Sequence, residues 1–343
     1  MSAPRILVFP DCGPRIGGGH VMRCLTLARA LMARGAAVAF AANPPAQSVL
    51  TAFGPRELTV YPVSDDLQEA VPQAAAFAEA FRADWVLLDH YRLSIEQEVG
   101  LREPRRMAVL DDLADRPRPA DLVVNPGYGV LPGNYAGLVP RGAVVMAGPE
   151  FALVRPEFSA CRDQTLERRR EGGHLRHVLI SLGLTDVEGI TARVVRALKP
   201  HLDGLILDVV LGDQAPSLVT LREEAKTDCG LRLHVDSHAM AELMSQADLA
   251  VGAGGSSVWE RATLGLPTVT VVLADNQRPM AQAMAQVGLT LMVDATAADF
   301  EAQLVAAVKR LVDDAALRRW LFEAPCHACD GKGAERVAQV MLA

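Results

Sequence analysis

Short apolar runs that each end in a turn residue recur along this chain, and no other feature limits its fold so strongly. In the first half, Val-, Leu- and Ala-rich segments closed by Gly, Asp, Asn or Pro fall at residues 5–10, 37–42, 85–89, 107–111, 122–125 and 143–147. Segments of this length, apolar on both faces, read as parallel strands buried between helices. Between the first two, Val21, Leu25, Ala28, Leu31 and Met32 recur at helical spacing, with Gly35 as the C-terminal stop. After a polar stretch the pattern restarts at 177–181, 205–211, 231–235, 249–251, 268–273 and 290–293, with a helical segment at 190–198. The expected fold is α/β, two doubly wound, Rossmann-like domains facing a cleft. The expected boundaries are 1–155 and 156–343, with the last helix a candidate to return to the first domain.

With 343 residues, half of them hydrophobic, the chain can fill two such cores. Its 34 Lys and Arg against 41 Asp and Glu leave a net charge of −7, which argues against a nucleic-acid partner, because phosphate neutralisation needs clustered cations. The one dense basic run, Arg168 to Arg170, lies between Glu167 and Glu171 and reads as a solvated connector. No apolar run approaches the roughly 18 residues of a membrane span, and the first residues lead into a strand without the apolar core of a signal peptide. A cytoplasmic protein without membrane insertion is expected. Cys326 and Cys329 form a lone CxxC without the second pair that a zinc site needs, and read as free thiols.

The first stretch with chemical content is Asp11-Cys12-Gly13-Pro14-Arg15-Ile16-Gly17-Gly18-Gly19-His20, which leaves the first strand and opens the first helix. Gly17, Gly18 and Gly19 permit positive φ and close approach of a ligand, and the helix start behind them suits an anion. The spacing is neither the GxGxxG of a dinucleotide fold nor a GxxxxGK[ST] loop, so nicotinamide cofactors and P-loop NTP hydrolysis are disfavoured. His20 sits where the helix dipole favours a neutral imidazole, which suits a general base; a capping or packed histidine is the rival reading. Asp11, at the end of the first strand, is placed to orient His20 or cap the loop, and is the nearby carboxylate that could instead act as a nucleophile. No metal and no cofactor is called for.

The second half repeats the architecture in Val251-Gly252-Ala253-Gly254-Gly255-Ser256-Ser257-Val258-Trp259-Glu260-Arg261. Gly254, Gly255, Ser256 and Ser257 would hold phosphates, with Glu260 accepting from the vicinal hydroxyls of a ribose. The rival is a capping box with Ser257 as N-cap and Glu260 at N3. Asn276 and Gln277, after the strand at 268–273, are amides suited to sugar hydroxyls or a base edge, or to surface capping.

Gly17 to Ala28, Leu88-Asp89-His90-Tyr91, Leu110-Asp111-Asp112-Leu113-Ala114, Val123-Val124-Asn125-Pro126, Val251 to Glu260 and Ala274 to Gln277 together resemble the PseG family. Its members are UDP-2,4-diacetamido-2,4,6-trideoxy-β-L-altropyranose hydrolases of pseudaminic acid biosynthesis, with a two-domain fold like that of MurG-type glycosyltransferases (GT-B). The resemblance runs from the first strand to Asp330-Gly331-Lys332-Gly333-Ala334-Glu335-Arg336, nearly the whole chain. It implies a UDP-sugar substrate, His20 as the catalytic histidine, and nucleotide contacts at Gly254 to Ser257, Glu260 and Asn276. It also implies a substrate-side role for Tyr91 and an Arg155 that faces the diphosphate. One departure is Leu184, in Ser181-Leu182-Gly183-Leu184-Thr185-Asp186, where the family has a second glycine. The implied reaction is attack by water at the anomeric carbon with inversion, because a diphosphate leaves readily and needs electrostatic cradling rather than a second carboxyl. A glycosyltransferase of the same architecture and a non-catalytic nucleotide-sugar-binding protein share these motifs.

Overall fold

The computed structural model describes residues 3–13 and 16–343. The chain divides into two compact units, Met1–Leu153 with Lys332–Ala343, and Val154–Gly331.

The first unit carries a seven-stranded sheet, all of whose pairings are parallel. Its strands are β1 (Arg5–Pro10), β2 (Ala37–Ala42), β3 (Thr59–Pro62), β4 (Trp85–Asp89), β5 (Arg106–Leu110), β6 (Leu122–Asn125) and β7 (Val144–Ala147), in the order β3-β2-β1-β4-β5-β6-β7. Alternate residues feed two cores. Ile6 and Val8 pack with Val21, Leu25 and Leu31 of the Gly19–Met32 helix, and Leu7 and Phe9 with Ala70 and Ala74 of the Leu67–Ala80 helix. The final helix, Gly333–Met341, adds Val337, Ala338 and Met341 to the first of these cores.

The second unit holds a six-stranded parallel sheet of β8 (His177–Ser181), β9 (Ile206–Leu211), β10 (Leu231–Val235), β11 (Leu249–Ala253), β12 (Thr268–Val272) and β13 (Leu291–Asp294), in the order β10-β9-β8-β11-β12-β13. Ile180, Val209, Val251 and Val269 pack against Val194 and Leu198 of one helix and Phe300 and Leu304 of another. Each sheet reverses its strand order once, between β1 and β4 and between β8 and β11, and crevices at such reversals are where open α/β sheets bind ligands.

The basic run ends a helix rather than forming a connector, with Arg168 and Arg170 exposed and Arg169 packed inward. Arg168, Arg169 and Arg170 form the last turn of the Pro156–Glu171 helix, and Arg169 donates to the carbonyls of Leu264, Ala247 and Met244 at 2.7–2.8 Å. Arg169, and Arg168 through the Ser245 and Ala247 carbonyls, satisfy carbonyls that the ends of neighbouring elements leave open, so part of this charge is spent on packing. Burial and the adjacent Arg168 push Arg169 down to about 9. No helix among the described residues is long and apolar enough to cross a membrane.

Candidate active site

The first unit's chemistry gathers at the carboxyl ends of β1 and β4. The Asp11 N–H donates to the Asp89 carbonyl at 2.7 Å, tying the two strand ends together. The chain then turns back, with the Gly17 N–H on the Gly13 carbonyl at 2.8 Å and Gly17 at φ 73°, a conformation that only glycine adopts without strain. Pro14 and Arg15 of this loop lie outside the described residues. Gly18 is the N-cap of the helix and Gly19 its first residue, and the first turn has neither a capping side chain nor an acidic residue.

His20 follows, with its side chain 10% exposed and its Nδ1 2.6 Å from Asp89 Oδ1. A buried carboxylate there accepts a hydrogen bond from Nδ1–H, and in the neutral ring this leaves Nε2 with its lone pair, the tautomer that a general base needs. Arg23, one helical turn further on, donates to Asp89 through Nε at 2.6 Å and Nη2 at 2.7 Å. The same guanidinium reaches Asp112, beyond the end of β5, at 2.7 and 2.8 Å. Tyr91 donates its hydroxyl to Asp112 and stands edge-on to the His20 ring, 4.8 Å between centroids. The five side chains close a ring: His20, Asp89, Arg23, Asp112, Tyr91.

Burial works against the charge on Asp89, but Arg23 and then His20 outweigh it and hold the carboxyl well below the usual range. Asp112 is likewise lowered, Arg23 outweighing burial. The neighbouring thiols are poor nucleophiles: burial raises Cys24, and burial together with Asp11 pushes Cys12 up to about 11.

Asp11 does not orient His20. Its carboxylate accepts from Arg92, Nη2 to Oδ1 at 2.7 Å, because continuing β1 carries it toward the loop after β4. Asp89, ending the neighbouring strand, faces the helix instead. His90 accepts the Arg92 N–H at Nδ1 (3.2 Å), and burial pushes its imidazole down to about 4. Asp111 belongs to a supporting network, accepting from Arg118 and the Tyr135 hydroxyl at 2.6 Å each, while Asn125 donates to that hydroxyl at 2.8 Å. That network fixes the strand ends from which Asp112 projects.

In the second unit, β11 runs into Gly254 and Gly255, and a short helix spans Ser257–Thr263. The capping box is not formed: Ser256 is the N-cap, no side chain caps the helix, and Glu260 falls at the fourth helical position rather than the third. Glu260 instead accepts from Arg155 Nε at 2.7 Å, with both side chains 12–13% exposed. The Ser257 hydroxyl accepts from Arg261 Nη1 at 2.9 Å, and Arg261 Nη2 donates to the Ala253 carbonyl at 2.8 Å. This buried guanidinium lies across Gly252, where a Cβ would collide with it, so a side chain at that position would displace Arg261. Burial pushes Arg261 down to about 10. Gln277 rests on Gly254 and accepts the Leu273 N–H at 3.1 Å, and Asn276 stands beside it in the same short turn. At the end of β8, the Leu184 carbonyl accepts from the Gly212 N–H at 3.1 Å, and the buried Asp186 accepts the Thr191 and Ser217 N–H groups at 2.8 Å.

The structure thus brings His20 and Tyr91 together in the first unit, and Gly254, Gly255, Ser256, Ser257, Glu260, Gln277 and Arg155 around one strand end in the second. Sequence reasoning passed over Asp89, Arg23, Asp112 and Arg261 as site residues. The available signal was spacing: Arg23 is three residues past His20 and Arg261 four past Ser257, so each pair shares a helix face.

Residues 231–321 match the glycosyltransferase family 28 C-terminal domain. The chain is 24% identical over 285 residues to a UDP-2,4-diacetamido-2,4,6-trideoxy-β-L-altropyranose hydrolase of Campylobacter jejuni, covering 83% of this chain and 97% of that protein. It is also 24% identical to the spore coat polysaccharide biosynthesis protein SpsG of Bacillus subtilis, over 97% of this chain and 96% of SpsG. Among solved structures, MurG of Acinetobacter baumannii superposes with a TM-score of 0.67 at 18% identity, covering 98% of this chain and 99% of MurG. The spinosyn rhamnosyltransferase SpnG, complexed with thymidine diphosphate, gives 0.66 at 19% identity, covering 98% of this chain and all of SpnG. The resemblance to the PseG hydrolases is borne out, and the two parallel-sheet α/β units have the GT-B fold.

Proposed function

We propose that this chain is a hydrolase that cleaves a UDP-linked 2,4-diacetamido-2,4,6-trideoxyhexose to the free sugar and UDP, in the cytoplasmic synthesis of pseudaminic acid. The observation that carries this reading is the His20–Asp89 pair, a buried carboxylate holding an imidazole with Nε2 as its acceptor. Nε2 takes a proton from water as the oxygen attacks the anomeric carbon; the C–O bond to the diphosphate breaks and UDP leaves with the electron pair. The reading assigns the nucleotide to the second unit, with Glu260 on the ribose and the Gly254 to Ser257 loop, Asn276 and Gln277 on the diphosphate or sugar. In the first unit, Gly17, Gly18, Gly19 and Tyr91 contact the sugar side.

The likeness to family 28 glycosyltransferases supports a second reading, in which an alcohol replaces water as acceptor. Incubating the protein with the UDP-sugar in buffer alone separates them. The hydrolase releases UDP and free sugar without an acceptor, and a transferase releases neither at a comparable rate.

A further inference from the structure

Arg23 sits between two carboxylates, and one guanidinium fills both. Its Nε and Nη2 donate to Asp89 at 2.6 and 2.7 Å, and its Nη1 and Nη2 to Asp112 at 2.7 and 2.8 Å. Four such contacts in two paired sets need a planar, five-donor fork; an ammonium, with three donors on one atom, could touch both carboxylates but not pair with each. Asp89 in turn holds His20, and Asp112 accepts from Tyr91, whose ring stands against His20. Each charge added or removed in this set therefore reaches the imidazole through at most two side chains.

We propose that Arg23 and Asp112 are positioning residues that set the charge of the His20–Asp89 pair, and with it the pH range over which His20 accepts a proton. The proposal rests on His20 being the base and deepens that reading. Arg23 compensates Asp89, so the carboxylate does not need a protonated imidazole as its counter-cation. Asp112 takes part of Arg23's charge, so the compensation is partial. The groups facing the pair are Arg23 and Cys24 on its own helix, His90 and Tyr91 after β4, and Asp112 after β5; Asp11, after β1, is held by Arg92. Burial keeps the Cys24 thiol and the His90 imidazole uncharged at neutral pH, which leaves Arg23 and the two aspartates to set the balance.

Three variants test this by the sign of their effects. Arg23→Gln removes the cation and moves the acid limb of the kcat–pH profile to higher pH, by about one unit or more. Asp112→Asn releases Arg23's charge and moves the limb to lower pH. Arg23→Gln combined with Asp112→Asn removes one charge of each sign and returns the limb toward wild type. Arg23→Lys, which keeps the charge but not the fork, leaves the limb near its wild-type position while lowering kcat. UDP release from the UDP-sugar gives the limb, and ¹⁵N-edited NMR of the His20 ring gives its midpoint without substrate. A merely structural role lowers kcat in every variant without moving the limb. An unmoved limb, or one that moves the same way in both single variants, overturns the proposal. If Arg23→Gln fails to fold, Asp112→Asn, at a side chain 25% exposed, carries the test, and its limb must fall. If the wild type releases no UDP from any UDP-sugar, the hydrolase reading falls while the NMR midpoints still decide this one.

Discussion

Asp89 Oδ1 lies 2.6 Å from His20 Nδ1, across the reversal point of the first sheet, in a pocket where the carboxylate is fully buried. The helix that follows β1 supplies the imidazole, and the last residue of the adjacent strand supplies its partner. Asp89→Asn replaces an acceptor by an amide that can favour the opposite tautomer, with Nε2 protonated and unable to accept from water. The expected result is a kcat lower by about two to four orders of magnitude with KM within a few fold. His20→Ala abolishes turnover and leaves UDP affinity within a few fold, because the nucleotide is assigned to the second unit. Steady-state kinetics with calorimetric UDP binding checks both, and a parallel loss of affinity and kcat would make His20 a ligand-binding rather than a proton-accepting group.

Glu260 and Ser256 are expected to separate binding from stability. Glu260→Gln weakens UDP by about tenfold to a hundredfold, on the order of 1.5 to 3 kcal/mol, if the carboxylate accepts from the ribose. Ser256 occupies the N-cap position without a capping hydrogen bond, so Ser256→Ala shifts Tm little, where a working cap would cost about 1 kcal/mol. Ser257→Ala is the costlier change, since it takes an acceptor from the buried Arg261. Calorimetry and thermal unfolding on the three variants give the ranking, and a normal UDP affinity in Glu260→Gln would remove this residue from the nucleotide site.

His90 makes the first unit sensitive to mild acid. Burial holds its imidazole at about 4, against an ordinary 6.5, so the unfolded chain takes up a proton between these values and the folded chain does not. Stability from this group is therefore intact above pH 6.5, falls as pH drops, and is fully lost below about pH 4, with a total effect of up to about 3 kcal/mol. His90→Gln is expected to flatten the denaturation midpoint across that window. A midpoint with the same slope in variant and wild type would show that the acid sensitivity comes from other groups.

Twelve of the thirteen strands were legible as apolar segments: the central ones because parallel strands covered on both faces are apolar throughout, and the edge strands β7, β10 and β13, though only partly covered, because they keep enough apolar residues. The exception, β3, is a four-residue edge strand, Thr-Val-Tyr-Pro, with no fully buried residue, so it carries no such run. The Pro156–Glu171 helix escaped for a related reason: three consecutive arginines look solvated throughout, and nothing local shows that the carbonyls of residues 244, 247 and 264 converge on the middle one, Arg169. At the site, His20 stood out by its place after three glycines. Its partner did not, because Asp11 is nine residues away and Asp89 is 69, and only the strand order brings the second one closer.

The stereochemical outcome follows from how the carboxylates near His20 are occupied. A retaining mechanism needs a carboxylate oxygen free to attack the anomeric carbon. Asp89 is fully buried and bonded to His20 and Arg23, Asp112 to Arg23 and Tyr91, and Asp11 to Arg92 through both oxygens. Each would have to abandon an arginine to become a nucleophile, at the cost of leaving a charged group unpaired. Water activated by His20 meets no such cost, so direct displacement with inversion is expected. Hydrolysis in H₂¹⁸O should place label in the sugar and none in UDP, and NMR of the first turnovers should show the inverted anomer before mutarotation. Label in UDP would mean attack at phosphorus. A retained anomer would point to Asp11, whose Arg92 partner is 45% exposed and the most easily drawn away of the arginines involved.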